Sequence, residues 1–208
     1  MTVLNTADTA LPAAARECER IGRTAGLAAG LAAVLVGRDV AAIAPGRYAA
    51  VPAAPDTESP GVRRHSLADR EGIVFAECQG ERPPASTDLA EIGALLAAVR
   101  LGVMRHLLDL AVAHLSERDS GGEPLIRKQL VTGAVADVIA GVELLREQAL
   151  AQRDPVALGD LHTRIDDLGW QTAKLFGASG YIADHPARAL YVSALCANTW
   201  SGREGAGE

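Results

Sequence analysis

Apolar positions recur with a helical period over most of this chain. Residues 11–43 are rich in Ala, Leu and Val, with Arg16, Glu17, Glu19 and Arg20 placed for a wet side, and predict one or two helices. Gly26, Gly30 and Gly37 stand at small-residue spacing there and predict close helix packing. Pro45, Pro52, Pro55 and Pro60 cannot sustain a helix, so that segment reads as an extended linker. Residues 72–78, with Ile73, Val74 and Phe75, carry the single strand pattern, closed by Arg82-Pro83-Pro84; no pairing partner is evident. From Thr87 the helical pattern is firm. Ser86 or Thr87 can cap, and Ile92, Leu95, Leu96, Val99, Val103, Leu107 and Leu110 follow on one helix to about residue 117. The run Asp119-Ser120-Gly121-Gly122-Glu123-Pro124 is a turn. A second helix follows over 125–152, with Leu130, Val135, Val138, Val142 and Leu145 inward, and Asp154-Pro155 opens a third. Gly177-Ala178-Ser179-Gly180 ends it, and a fourth helix starts near His185-Pro186 and carries Leu190, Val192, Leu195 and Trp200. The expectation is a mainly α protein. An up-and-down helical bundle spans 87–202, a reduced N-terminal region spans 1–86, and the acidic tail 203–208 is expected to be disordered.

Composition sharpens this picture. A chain of 208 residues with 3% aromatics must fill its core with Ala, Leu and Val, which favours closely packed helices over a β-sandwich. A net charge of −6, without a basic and aromatic surface run, removes the electrostatic reason to bind nucleic acid. Cys18, Cys78 and Cys196 are widely spaced and form no C-x-x-C pattern, so neither a disulfide framework nor a zinc site is expected. The longest apolar run, 25–37, lies between Arg23 and Arg38 and is too short to cross a bilayer. No signal pattern precedes it, and a soluble cytoplasmic protein is expected. His106 with His114, and His162 with Asp166 and Asp167, read as solvated helix faces, because one i, i+4 pair cannot close a metal site.

Two motifs carry a family resemblance. Arg118-Asp119-Ser120-Gly121-Gly122-Glu123-Pro124-Leu125-Ile126-Arg127-Lys128-Gln129 follows the pattern R-x-x-F-G-x-P-I/L-x-x-x-Q except at Gly121, where the family has phenylalanine. Gly177-Ala178-Ser179-Gly180-Tyr181-Ile182-Ala183-Asp184-His185-Pro186 is similar to G-G-x-G-Y/F-x-x-E/D-x-P, and Ala97-Ala98-Val99-Arg100-Leu101-Gly102 stands where the family has A-A-x-x-x-G. The chain thereby resembles the C-terminal helical domain of the flavin-dependent acyl-CoA dehydrogenases. In that family the domain packs in an oligomer, and its arginine and glutamine reach the FAD of a neighbouring subunit. The resemblance implies FAD contact by Arg118 and Gln129, with Lys174 at a position usually occupied by glutamine and the Gly177 to Gly180 turn beside the adenine. Without the resemblance, Arg118 would cap helix carbonyls, Gln129 would be a surface residue and the glycines would only end a helix.

The departures matter as much. An Arg-Asp pair of the family is Val192-Ser193 here, and ungapped continuation puts Ser201 where many members carry the glutamate that removes the substrate's α-proton. A hydroxyl is too weak a base for that step unaided. Glu91 lies near an alternative base position but one residue out of register, and reads as an acid satisfying the helix dipole. Family members also carry an N-terminal helical domain and a β-barrel, for which residues 1–86 are too few. The resemblance therefore implies a degenerate subunit of an FAD-dependent oxidoreductase acting on acyl thioesters of CoA or a carrier protein. A fuller homologue would supply the barrel and the base. The alternative is a flavin-free homo-oligomer, a pseudoenzyme using the scaffold to bind or transform a hydrophobic metabolite.

Overall fold

The computed structural model describes residues 6–54, 61–78 and 86–201. Helix α4 (Ser86–Ser116) is the axis on which the other elements pack. It is apolar nearly all round because it serves two cores. Ile92, Leu96, Val99 and Val103 face one, while Ala97, Leu101, Met104 and Leu108 face the other.

Helix α1 (Thr6–Leu35) lies along α4 with the backbones in contact. A Cβ on Gly22 would come within 2.4 Å of the Val99 carbonyl oxygen, and one on Gly102 within 2.1 Å of the Glu19 carbonyl oxygen. Of the glycines expected to allow such packing, Gly30 does so, its missing Cβ leaving space for the Val99 side chain. Gly26 and Gly37 do not. Gly26 takes φ 84°, which breaks α1 into two halves, and Gly37 takes φ 70° just beyond its end. Glu19 is a second correction, since it is only 7% exposed. Its carboxylate accepts from Arg105 Nη1 and Arg146 Nε, both at 2.9 Å, and two guanidiniums replace its water. Arg16, Glu17 and Arg20 do face solvent.

The proline-rich segment is not all linker. Helix α2 (Val40–Ile43) leads into β1 (Tyr48–Pro52), and β2 (Val62–Arg63), α3 (Ser66–Arg70) and β3 (Ile73–Glu77) follow. The strands form an antiparallel sheet in the order β1-β3-β2, with Ala50 opposite Phe75. The expected strand at Ile73 thus finds partners on both sides. Strand β1 escaped notice because Tyr-Ala-Ala-Val-Pro is poor in strand formers, and its terminal Pro52 is tolerable only on an edge. That edge is covered by the last helix: Thr199 Oγ1 accepts from the Ala50 N–H at 3.0 Å, and Trp200 Nε1 donates to the Ala50 carbonyl at 2.8 Å. The Arg82 to Pro84 stretch and the acidic tail lie outside the described residues.

The bundle is completed by α5 (Gln129–Ala151), α6 (Pro155–Lys174) and α7 (Arg188–Trp200). Asp154 caps α6 by accepting from the N–H groups of Val156 and Ala157. Leu130, expected inward, is 89% exposed. A 3-10 turn (Leu125–Arg127) and an extended Lys128 precede α5, so its inward phase runs through Val135, Val138, Val142 and Leu145 and misses position 130. Among the described residues no helix is long and apolar enough to cross a membrane. The three cysteines are buried free thiols, and burial pushes that of Cys196 up to about 12.

Gly102→Ala should destabilise the protein by about 1–3 kcal/mol, because the added methyl meets backbone. Gly133→Ala, in the open on α5, should instead stabilise by up to about 1 kcal/mol. Urea midpoints of the two variants check the contrast.

Candidate functional site

Antiparallel packing brings the ends of α4 and α6 and the start of α5 to one end of the bundle. Arg118 follows α4 there, and the turn after it closes on the Arg118 carbonyl, which accepts from the Leu125 N–H at 2.7 Å. Its exposed guanidinium donates to His114 Nε2 at 3.3 Å. Gln129, also exposed, is the first residue of α5, whose opening turn has no side-chain cap. Lys174 is the last residue of α6 and donates to Gln171 Oε1 at 3.2 Å. Gly177, at φ 62°, turns the chain out of α6. Beside Lys174 runs an open groove of about 420 Å³, lined also by Leu115, Leu130, Val131, Leu168 and Leu175; Arg118, Gln129 and Gly177 stand at the same end of the bundle but do not line it. An ammonium on an apolar groove, with a guanidinium and the start of α5, uncapped by any side chain, at the same end of the bundle, offers donors to an anionic ligand that has an apolar part. The exposed Leu130 faces this groove, which gives its orientation a role.

Gly180 lies in the turn that Gly177 opens and lines a different cavity. It sits in a 3-10 turn (Gly177–Tyr181) packed on α6, where a Cβ would come within 2.4 Å of the Ala173 carbonyl oxygen. It lines a cleft on the opposite face of α6, between α6 and α7, of about 220 Å³. At the inner end of that cleft lies a buried polar cluster that the sequence reading missed. Arg100, 1% exposed, donates from Nη1 to His162 Nδ1 at 2.9 Å, from Nε to Ser193 Oγ at 3.3 Å and from Nη2 to Asp166 Oδ1. His162, expected on a solvated face, is fully buried, because α6 turns Leu158, Leu161, His162 and Ile165 inward together. Asp167 and His106 are exposed as expected. The available signals were an arginine inside the apolar run Ala97-Ala98-Val99-Arg100-Leu101 and the i, i+4 pair on α6.

A string of rings runs from α4 past the end of α6 to the start of α7. His114 lies 5.8 Å from Phe176, which meets His185 edge-on at 4.5 Å. Burial, then the charges of His114 and Arg188, hold His185 below the usual imidazole range.

Ser201, expected at the position of the family's catalytic glutamate, lies elsewhere, just after α7, a helix about 20 Å long, at the opposite end from the groove. Its side chain is buried, with no hydrogen-bond partner for Oγ among the described residues. Glu91 is exposed and pairs with Arg38 at 2.8 Å, so it is committed to α1's end.

Residues 85–153 match the family model of the acyl-CoA dehydrogenase C-terminal domain. No curated protein matches the chain. Among solved structures, the Tcur3481-Tcur3483 steroid ACAD variant is 22% identical, covering 74% of this chain and 51% of its own, with a TM-score of 0.52. Butyryl-CoA dehydrogenase from Megasphaera elsdenii is 16% identical, with coverages of 70% and 46% and a TM-score of 0.50. FkbI, for biosynthesis of the methoxymalonyl extender unit of the Fk520 polyketide, is 20% identical, with coverages of 78% and 55% and a TM-score of 0.51. The chain spans about half the length of these structures and shares their fold.

Asp166→Ala leaves a buried guanidinium without its counter-charge and should cost about 3 kcal/mol, the low end for such pairs because the carboxylate is 21% exposed. A smaller loss than that of a surface pair, in urea unfolding, contradicts the assignment. His185, lowered in the folded state, takes up its proton more readily when unfolded. Its contribution is therefore full above the ordinary imidazole range, about pH 6.5, and is lost as pH falls through the lowered value. His185→Asn, which keeps an acceptor for the Ala187 N–H, should flatten that acid slope.

Proposed function

We propose, for a chain that carries the acyl-CoA dehydrogenase fold and a stretch of that family's C-terminal domain, that it is one subunit of an FAD-dependent oxidoreductase acting on acyl thioesters. In this reading its bundle end completes the FAD site of a partner subunit. The observation that supports it most is the open apolar groove beside Lys174, at the bundle end where α4 runs out toward Arg118 and α5 begins at Gln129. The fit with FAD is one of donor chemistry. Arg118 offers two parallel N–H groups to a pyrophosphate, Gln129 an amide beside the start of α5, and Lys174 a mobile positive charge. The floor of Leu115, Leu168 and Leu175 keeps water from beneath a bound ring system.

FAD held at this end of the bundle would supply the hydride acceptor for α,β-dehydrogenation of the thioester, a reaction that also needs a base for the α-proton. The residues of this chain serve binding and not proton removal. Ser201, buried at the far end of α7, has no carboxylate with which to take the α-proton, and the base comes from the partner. The structural likeness to butyryl-CoA dehydrogenase and to the steroid ACAD variant supports the thioester class.

A second reading, a flavin-free homo-oligomeric binding protein, draws on the same departures: Gly121 in place of phenylalanine, Lys174 in place of glutamine and Ser201 in place of glutamate. The two separate experimentally. In a complex with a full-length acyl-CoA dehydrogenase homologue, Arg118→Ala should weaken FAD retention about tenfold or more, the worth of a charge-assisted hydrogen bond. Arg118→Lys should recover part of it. Flavin retention unchanged by Arg118→Ala would refute the proposal, and a colourless homodimer that recruits no such homologue favours the second reading.

A further inference from the structure

We propose that the cleft on the other face of α6 is a second ligand site, one that takes a small uncharged ring compound bearing a hydroxyl group, of which phenol is the simplest. Its volume, about 220 Å³, is below that of sites for drug-sized ligands and leaves room for one ring with a short substituent. Leu67, Met104, Ile165 and Leu190 wall it. At its mouth stand Trp170, Tyr181 and Tyr191, each close to half exposed. Two of the three tyrosines and one of the two tryptophans of an aromatic-poor chain are thus gathered around one opening. Trp170 and Tyr181 are stacked at 5.9 Å with 25° between their planes, so the mouth presents flat faces to an entering ring.

The inner end selects for charge and for the hydroxyl. Asp166 and Ser193 line the cleft in front of Arg100, and the Arg100 and Asp166 charges cancel. Arg188, on the other wall, is balanced by Glu71 at 2.7 Å. An ionised ligand would lose its hydration and meet no uncompensated opposite charge. A neutral hydroxyl loses far less and can donate to the Asp166 carboxylate, which is a strong acceptor.

The cleft is also kept open at a cost in helix propensity. Gly169 lies in the interior of α6 at the floor of the cleft, where a Cβ would meet nothing closer than Leu190 Cδ2 at 3.6 Å. Alanine would fit there and favours a helix over glycine. The helix carries the glycine where a methyl group would reduce the space for a ligand. This site is separate from the proposed flavin groove, which uses Leu168, Lys174 and Leu175 on the other side of the helix.

The full chain, without any partner, is titrated with phenol, toluene and benzoate by calorimetry, with Trp170 emission as a second signal. Phenol should bind saturably at one per chain, and both toluene and benzoate at least about tenfold more weakly. Gly169→Ala should weaken phenol about tenfold, the usual effect of one methyl group in a close-fitting pocket, while leaving the thermal midpoint unchanged or raised. Trp170→Leu should abolish the emission change while calorimetry still detects binding. Non-saturable phenol binding, equal affinity for benzoate or toluene, or phenol affinity untouched by Gly169→Ala would each overturn the proposal. Closure of the cleft by a co-expressed partner chain, with phenol then excluded and no binding to the free chain, would do so as well.

Discussion

The guanidinium of Arg100 is almost fully buried, and the arrangement of three helices follows from how it is satisfied. Desolvating such a cation costs several kcal/mol, which a single carboxylate does not offset unless the geometry is good and further hydrogen bonds are made. Arg100 on α4 therefore engages His162 and Asp166 on α6 and Ser193 on α7 together. The main consequence is positional. With Ile165, Asp166, Gly169 and Ala173 turned toward the Arg100 side, Leu168, Gln171, Lys174 and Leu175 must face α5. One rotational setting of α6 thus shapes both the groove proposed for flavin and the cleft proposed for a second ligand. Ser193 completes the set of hydrogen bonds, and the compensating carboxylate comes from Asp166.

The N-terminal region depends on α4 in a different way. Its long helix approaches so closely that Gly22 and Gly102 meet the opposing backbone, and the carboxylate of Glu19 is enclosed by two arginines from the bundle. The small sheet would expose an edge on its own. It is held because Thr199 and Trp200 at the end of α7 satisfy both backbone groups of Ala50. The end of α7 is therefore part of a structural joint, with Ser201 buried beside Trp200.

The elements legible in the sequence were those specified by local signals. Helices α4 to α7 follow from apolar period, the cap at Asp154 and the glycine-rich turns, and β3 follows from its β-branched run. What escaped depended on partners distant in the chain. Ala49 and Ala50 do not look like strand residues until β3 and α7 lie beside them. Glu19 and His162 look like surface residues until arginines from other helices approach, and Leu130 looks like a core residue until the extended Lys128 resets the helix phase. The same holds for the site. The spacing of Arg118, Gln129 and Lys174 could be matched to a family pattern, and antiparallel packing then brings them to one end. That Gly180 serves another cavity depends on the packing of its turn against the Ala173 carbonyl, which no spacing encodes.

The measurement closest to the central claim is the flavin content of this chain purified alone, of a full-length acyl-CoA dehydrogenase homologue purified alone, and of the two co-expressed. The account predicts a colourless chain on its own and a hetero-oligomer whose FAD per complex exceeds that of the homologue alone, because the bundle end that carries Arg118 and the groove beside Lys174 closes over the cofactor. Co-expression that yields no shared complex, or a complex whose flavin content is independent of this chain, would contradict it.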